Sequence, residues 1–111
     1  MKMMTKKIAD ELVRRDKLVV ETGSCDTDTV VKYFAPWSAA TWEIYSATPL
    51  DANGKPDYSD PVNAPDWHMF GRCDLFGNGG ELGYVLLSLL AECSGPAGLR
   101  IERELYTGFS K

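Results

Sequence analysis

The sequence has one histidine, His68, so any imidazole acid–base chemistry must use this residue. A cysteine nucleophile would have to lie beside it, and the three cysteines are Cys25, Cys73 and Cys93. Cys73 is five residues further along the same expected strand, so its side chain points to the opposite face. We therefore interpret His68 as a surface or sheet-packed residue, and keep a small hydrolase using His68 or strand carboxylates as an alternative.

Carboxylates and metal ligands give no stronger candidate. Glu43, Asp74 and Glu81 lie in or beside expected strands, but their spacing does not require the pair, about 5–9 Å apart, that a glycosidase uses. Three scattered cysteines and one histidine do not form a zinc pattern. We assign no catalytic residue, no metal ligand and no cofactor.

The glycine-rich segment 76–83, FGNGGELG, invites comparison with phosphate-binding loops. A P-loop ends in GK[ST], and a dinucleotide-binding loop opens a helix. Here the glycines lead into an expected strand and no lysine follows. The pattern indicates a turn that needs positive φ angles.

Aromatic and arginine side chains are the remaining candidates for recognition. Aromatic rings can form a platform for a base, and arginine can contact an anion. Successive side chains of a strand point to opposite faces, which places Trp42 and Tyr45 on different faces. These two rings therefore cannot share one platform. The candidate binding residues are Trp42, Tyr45, Arg72, Tyr84 and Arg103.

Composition limits the class of protein. The 111 residues, 44% hydrophobic and 25% charged, predict one globular domain spanning 1–111. The net charge of −4 argues against non-specific binding to nucleic acid, which positive charge drives. An odd number of cysteines, a polar start and no apolar run of about 20 residues favour a cytoplasmic protein with free thiols and no membrane contact.

The elements that must position these residues are short and separated by turns. A helix capped by Thr5 is expected to run to about Arg15, with a β-branched run at Leu18–Glu21 after it. Pro49 is expected to end a strand, and the proline-rich segment 50–65 to be a surface loop. Ser88 is expected to cap a short helix that ends before Gly95. The expected strands are Thr29–Phe34, Thr41–Thr48, Trp67–Leu75 and Glu81–Leu86, with 101–105 ambiguous between strand and helix.

This order predicts an α+β fold: an antiparallel sheet of about four strands, an N-terminal helix and a short C-terminal helix. Leu86, Leu87, Leu89 and Leu90 cross a strand-to-helix junction, so they cannot all face one core. At least one is expected to be exposed. Together with Tyr84 it would suit a homodimer or a partner contact.

Short motifs spread along nearly the whole chain carry a resemblance to a known family. They are Met4-Thr5, Val31-Lys32-Tyr33-Phe34 with Pro36, Thr41-Trp42, Phe70-Gly71, Asp74, Glu81-Leu82-Gly83-Tyr84, Gly95-Pro96, Gly98-Leu99 and Ile101-Glu102-Arg103-Glu104-Leu105-Tyr106. With these motifs the chain resembles a family of small bacterial proteins known as domain-of-unknown-function family 2958, although the 50–65 loop looks longer than usual and the 86–90 segment more apolar. The resemblance implies an origin on plasmids, phages and other mobile elements, and it carries no activity.

The sequence thus leads us to expect a non-enzymatic accessory protein of a mobile genetic element, with an anti-defence role. It would act by stoichiometric binding to a host protein complex or a small signalling ligand. The alternatives are the small hydrolase and a single-strand nucleic-acid accessory factor that uses the aromatic residues.

The acidic balance generates a direct prediction. Single-stranded DNA should bind only weakly at about 150 mM salt, because the chain has no general attraction for phosphates. Fluorescence anisotropy with a labelled oligonucleotide measures this binding. Sub-micromolar binding that weakens steeply with salt would contradict the prediction.

Overall fold

The computed structural model describes residues 2–110, and Met1 and Lys111 of the predicted domain lie outside the described part. The helices are α1 (Lys6–Thr22) and α2 (Leu87–Glu92). The strands are β1 (Val31–Phe34), β2 (Thr41–Leu50), β3 (Asp66–Asp74), β4 (Glu81–Leu86) and β5 (Glu102–Arg103). Short 3-10 turns occupy Pro61–Asn63, Pro96–Gly98 and Gly108–Ser110.

The strands form one antiparallel sheet in the order β4-β3-β2-β1-β5. The predicted α+β class, with an N-terminal helix and a short C-terminal helix, is confirmed. The sheet has five strands rather than about four, since part of the ambiguous segment 101–105 pairs with β1 as β5.

Helix α1 begins where the sequence predicts and ends later. The Thr5 hydroxyl accepts the Ile8 N–H at 3.3 Å, as expected of an N-cap. The predicted end near Arg15 and the separate β-branched run are wrong, because the helix continues to Thr22. It stops at Gly23, whose φ of 70° gives the left-handed C-cap that glycine favours. The β-branched residues disfavour a helix by only about 0.5 kcal/mol each, which tertiary contacts outweigh.

The buried Arg15 supplies part of those contacts. Its Nε donates to Glu11 Oε2 at 2.8 Å, one turn earlier. Its Nη1 donates to the carbonyl oxygen of Asp28 at 2.8 Å. The guanidinium therefore fixes the loop before β1 against the helix.

Side chains of the sheet alternate between two faces. The inner face is covered by α1 and α2, and it is the core of the molecule. The outer face has no helix packed across its β3–β4 half, where Leu82 and Tyr84 are exposed. Buried core residues from the sheet and both helices include Ile8, Leu12, Val31, Tyr33, Trp42, Ile44, Ala47, Trp67, Met69 and Leu90.

Strand β2 continues through Pro49 to Leu50, so the predicted stop at Pro49 is wrong. The carbonyl oxygen of Pro49 accepts the Asp57 N–H at 2.9 Å. In an antiparallel strand the N and C=O of one residue point to the same side. The missing N–H of Pro49 thus lies on the side away from β3, and the β2–β3 ladder loses nothing.

Strand β2 also contains a bulge at Tyr45. Ile44 lies opposite Gly71 and Ser46 opposite Phe70, so Tyr45 is the extra residue. A Cβ on Gly71 would lie 1.9 Å from the Glu43 carbonyl oxygen. Only glycine fits there.

Helix α2 is capped from β3 and not by Ser88 as predicted. Leu86 occupies the N-cap position, where it offers no side-chain hydrogen bond. Ser88 donates its N–H to Asp66 Oδ1 at 2.9 Å and its hydroxyl to Asp66 Oδ2 at 2.6 Å. A carboxylate at a helix N-terminus also interacts favourably with the helix dipole.

The segment between β2 and β3 is exposed over 52–60, as expected for the proline-rich loop. Its Tyr58 hydroxyl donates to Asp16 of α1. Desolvation and this hydrogen bond raise the pKa of Tyr58 to about 12. Tyr58 thus attaches the exposed part of the loop to the helix, and Val62 and Ala64 further along pack against the core.

The bulge generates a stability prediction with a matched control. Gly71→Ala should lower the free energy of unfolding by about 3 kcal/mol or more, because the new Cβ collides with backbone. Gly83 is the register partner of Gly71 on β4, and a Cβ there meets nothing within 4 Å. Gly83→Ala should change the free energy by no more than about 0.5 kcal/mol. Urea unfolding measures both, and equal effects would contradict the steric argument.

Candidate binding surface

Five side chains of β3 and β4 form a continuous patch on the outer face, which we call the β3–β4 face. Phe70 lies opposite Tyr84 and His68 opposite Leu86, with Leu82 next along β4. Tyr84 is 65% exposed and Leu82 53% exposed. The face consists of His68, Phe70, Leu82, Tyr84 and Leu86.

The rings of this face pack on one another. The His68 and Tyr84 rings are stacked, with centroids 4.6 Å apart and planes 9° apart. Phe70 lies 5.1 Å from Tyr84 in a tilted arrangement. Phe70 also contacts the buried Tyr45 edge-on, with centroids 6.4 Å apart. The bulge residue therefore packs against Phe70, which in turn packs against Tyr84, so the rings form one connected cluster.

A cleft of about 310 Å³ lies beside this face, between the C-terminal half of α1 and the sheet. His68, Phe70 and Tyr84 line one part of it, and Cys25 and Ser46 another. The Cys25 thiol lies 3.9 Å from the Ser46 hydroxyl oxygen. The cleft thus combines rings with one thiol and one hydroxyl.

The cleft lacks the arrangement of an activated nucleophile. Among residues 2–110, no hydrogen bond orients the His68 ring. The nearby Asp16 carboxylate accepts hydrogen bonds from Thr48, at 3.0 Å, and from Tyr58. Its oxygens are therefore engaged in holding α1 to β2 and to the loop.

Cys73 is separated from His68, as the alternation predicts. It pairs in register with Trp42 of the inner face, whereas His68 lies on the outer face. Burial raises the pKa of the Cys73 thiol, which disfavours the thiolate at neutral pH. Cys73, Cys25 and Cys93 are all free thiols.

The β3–β4 hairpin adds a second groove, of about 690 Å³, that runs along the edge of β4. Leu75 and Phe76 line it from the hairpin, and Leu82 and Tyr84 line it from the strand. Phe76 is 81% exposed. The lining is mixed, because Asn78 and Glu81 also contribute to it, and the groove joins the β3–β4 face at Tyr84.

One carboxylate organises the hairpin. Asp74 accepts the N–H groups of Gly77, at 2.8 Å, and Gly79, at 3.0 Å, as well as those of Phe76 and Asn78. Desolvation acts to raise the pKa of Asp74, but these four N–H groups outweigh it and hold the pKa below its ordinary value. Asp74 is thus a structural ionised group.

The structure separates the five candidate binding residues. Tyr84 and Arg72 are exposed on the outer face, where Arg72 donates to the Gly79 carbonyl oxygen at 3.1 Å. Tyr45 is buried behind Phe70, and Trp42 lies in the core. Arg103 is buried, and donates to the carbonyl oxygens of Lys2 at 2.9 Å and Ser110 at 3.1 Å. It joins the two ends of the described chain.

Sequence reasoning missed Phe70, Leu82 and Phe76. The available signal was the alternation of side chains in the two strands that flank the glycine turn. Residues 68 and 70 of the first strand and residues 82, 84 and 86 of the second fall on one face of the hairpin. The expected exposure in the leucine run is confirmed at Leu89, which is 53% exposed, whereas Leu90 is buried.

The described part of the chain has neither a metal-ligand cluster nor a membrane-spanning helix. Residues 2–110 contain no group of three His, Cys, Asp or Glu side chains placed to hold a metal ion. No helix among these residues has the length and apolar character needed to span a membrane.

Comparison with known proteins identifies the family. A family model described as protein of unknown function, DUF2958, matches residues 3–110. The chain therefore belongs to this family. No curated protein and no solved structure matches it.

The hairpin generates a prediction about pH. The low pKa means that Asp74 stabilises the hairpin at pH values above its unfolded pKa of about 3.9, and that this stabilisation is lost as pH falls through the lower folded value. NMR titration of the Asp74 carboxyl carbon should give a midpoint below that of an ordinary aspartate. Asp74→Asn should speed amide exchange at Gly77 and Gly79, whereas Asp10→Asn on α1 should leave it unchanged. Slow exchange in Asp74→Asn would contradict the assigned role.

Proposed function

We propose that this protein is a non-enzymatic accessory protein of a mobile genetic element, which counters a host defence by stoichiometric binding to a host protein. The β3–β4 face is the binding surface. The mobile-element setting rests on the resemblance to family 2958, and a cytoplasmic location is part of the same proposal.

The observation that carries the proposal is the ordered aromatic patch on an open sheet face. Tyr84 and Leu82 are more than half exposed, and His68 and Phe70 pack against the Tyr84 ring. Aromatic residues are enriched at protein interfaces, and rings fixed in advance lose little side-chain entropy on binding. Exposed aromatic and leucine side chains of this kind suit a protein partner.

A hydrolase remains the second candidate because of the cleft beside this face. Cys25 and His68 line the same cleft, which sequence reasoning did not foresee. The engaged Asp16 carboxylate and the His68 ring's lack of an orienting partner in the described chain favour binding over catalysis.

Two substitutions at His68 discriminate these candidates. His68→Gln removes acid–base chemistry but keeps a neutral planar group that can lie on Tyr84. His68→Asp places a carboxylate against the negative ring face of Tyr84 and inside the proposed interface. We expect His68→Gln to retain partner binding and His68→Asp to weaken it about tenfold, or about 1.4 kcal/mol.

The measurement uses tagged wild-type protein to isolate the host partner, and then calorimetry of each variant with that purified partner. Tyr106→Asp is the control, since Tyr106 is exposed and lies outside the face. Thermal melting must show that all variants fold. Loss of the biological effect in folded His68→Gln would reject binding in favour of catalysis by His68.

A further inference from the structure

We propose that the open edge of β4 pairs antiparallel with β4 of a second copy of this chain. The pairing would be centred on Tyr84 and would join two five-stranded sheets into one. This inference does not depend on the host partner proposed above.

The first argument is that β4 lies at the edge of the sheet with β3 as its strand partner. Alternate backbone N–H and C=O groups of an edge strand point away from the sheet. Within residues 2–110, no hydrogen bond from another segment reaches that side of Glu81–Leu86. The groove lined by Leu75 and Phe76 runs along the same edge.

The second argument is that the two edges of the sheet differ in protection. At the opposite edge, β5 has only two residues, Glu102 and Arg103, both charged. Short length and charge are the devices by which proteins block pairing between edges. By contrast, β4 has six residues, and its single charge is Glu81 at one end. It contains no proline and its register with β3 is regular.

The third argument concerns register. In a continuous sheet, residues opposite each other must share a face, so a two-fold axis must pass beside one residue of β4, and Gly83 and Tyr84 are the two central positions. The axis at Tyr84 places Tyr84 against its copy and Leu82 against Leu86 of the second copy. It also moves Glu81 opposite position 87, where α2 begins, so the carboxylate falls outside the ladder. The axis at Gly83 would instead place Glu81 opposite Val85.

The self-complementary side chains favour a second copy over a foreign strand. An apolar row on β4 consists of Leu82, Tyr84 and Leu86. The row reads the same in both directions, so the two-fold axis places leucine opposite leucine and tyrosine opposite tyrosine. The β3–β4 faces of the two copies would then adjoin on one side of the sheet.

The test uses charge at the symmetry axis. Sedimentation velocity should show a dimer for the wild type. Tyr84→Lys and Tyr84→Glu should each raise the dimer dissociation constant about tenfold or more, because like charges then face each other. An equimolar mixture of the two variants should recover the dimer, since Lys then faces Glu.

Control variants distinguish pairing at the β4 edge from association through another surface. Tyr106→Lys adds charge at an exposed site away from the edge, and it should remain dimeric. Leu82→Lys is a second disrupting variant at an exposed position. Circular dichroism confirms that each variant is folded.

A wild-type protein that stays monomeric at high concentration would overturn the proposal. It would do so even if the monomer bound an added extended peptide. Dimers that persist in both Tyr84 variants would do the same. If Leu82→Lys associates with Tyr84→Glu more tightly than the two Tyr84 variants associate with each other, the axis lies at Gly83 and the Tyr84-centred pairing is wrong.

Discussion

The bulge at Tyr45 is the constraint on which the rest of the sheet depends. Before it, Trp42 and Ile44 face the core; after it, Ala47 and Pro49 do. Because of the extra residue, even-numbered side chains face the core before the bulge and odd-numbered side chains face it after the bulge. Both halves of a ten-residue strand therefore contribute to one core. It also directs Tyr45 against Phe70, which in turn contacts Tyr84. The exposed aromatic surface and the buried core are thus consequences of the same local geometry, which Gly71 permits.

Sequence reasoning reached the parts of the fold that local chemistry determines. The Thr5 cap, the glycine turn before β4 and the strand Glu81–Leu86 lie where the pattern places them. It failed where tertiary contacts decide. The strict alternation in 41–48 puts Ser46 on the face of Trp42, whereas the bulge moves it to the opposite face. The continuation of α1 past Arg15 and the passage of β2 through Pro49 likewise depend on neighbours that the sequence does not show, whereas the stop at Gly23 is a local glycine cap.

The candidate site was only partly predictable for a related reason. Several aspartates whose chemistry would suit acid–base work are engaged in structural hydrogen bonds to backbone N–H groups or side-chain hydroxyls. Asp66 caps α2 from the start of β3, and Asp74 gathers four N–H groups at its end. Asp16 ties α1 to Thr48 and Tyr58. Each of these roles requires a residue distant in sequence or a specific turn, so spacing alone does not distinguish a capping carboxylate from a catalytic one.

The distribution of charge explains how the protein can expose an apolar patch without associating non-specifically. The chain carries a net charge of −4, yet the five side chains of the β3–β4 face include no carboxylate, and the exposed Arg72 opposite Leu82 adds a positive charge beside them. Charge elsewhere on the surface opposes non-specific association, while the five side chains of the face and the part of β4 beyond Glu81 leave a directional route for specific contact. The stacked rings fix the shape of that route. Selection of a partner would therefore depend on fit to a rigid aromatic surface and on backbone pairing at one edge, and not on long-range attraction.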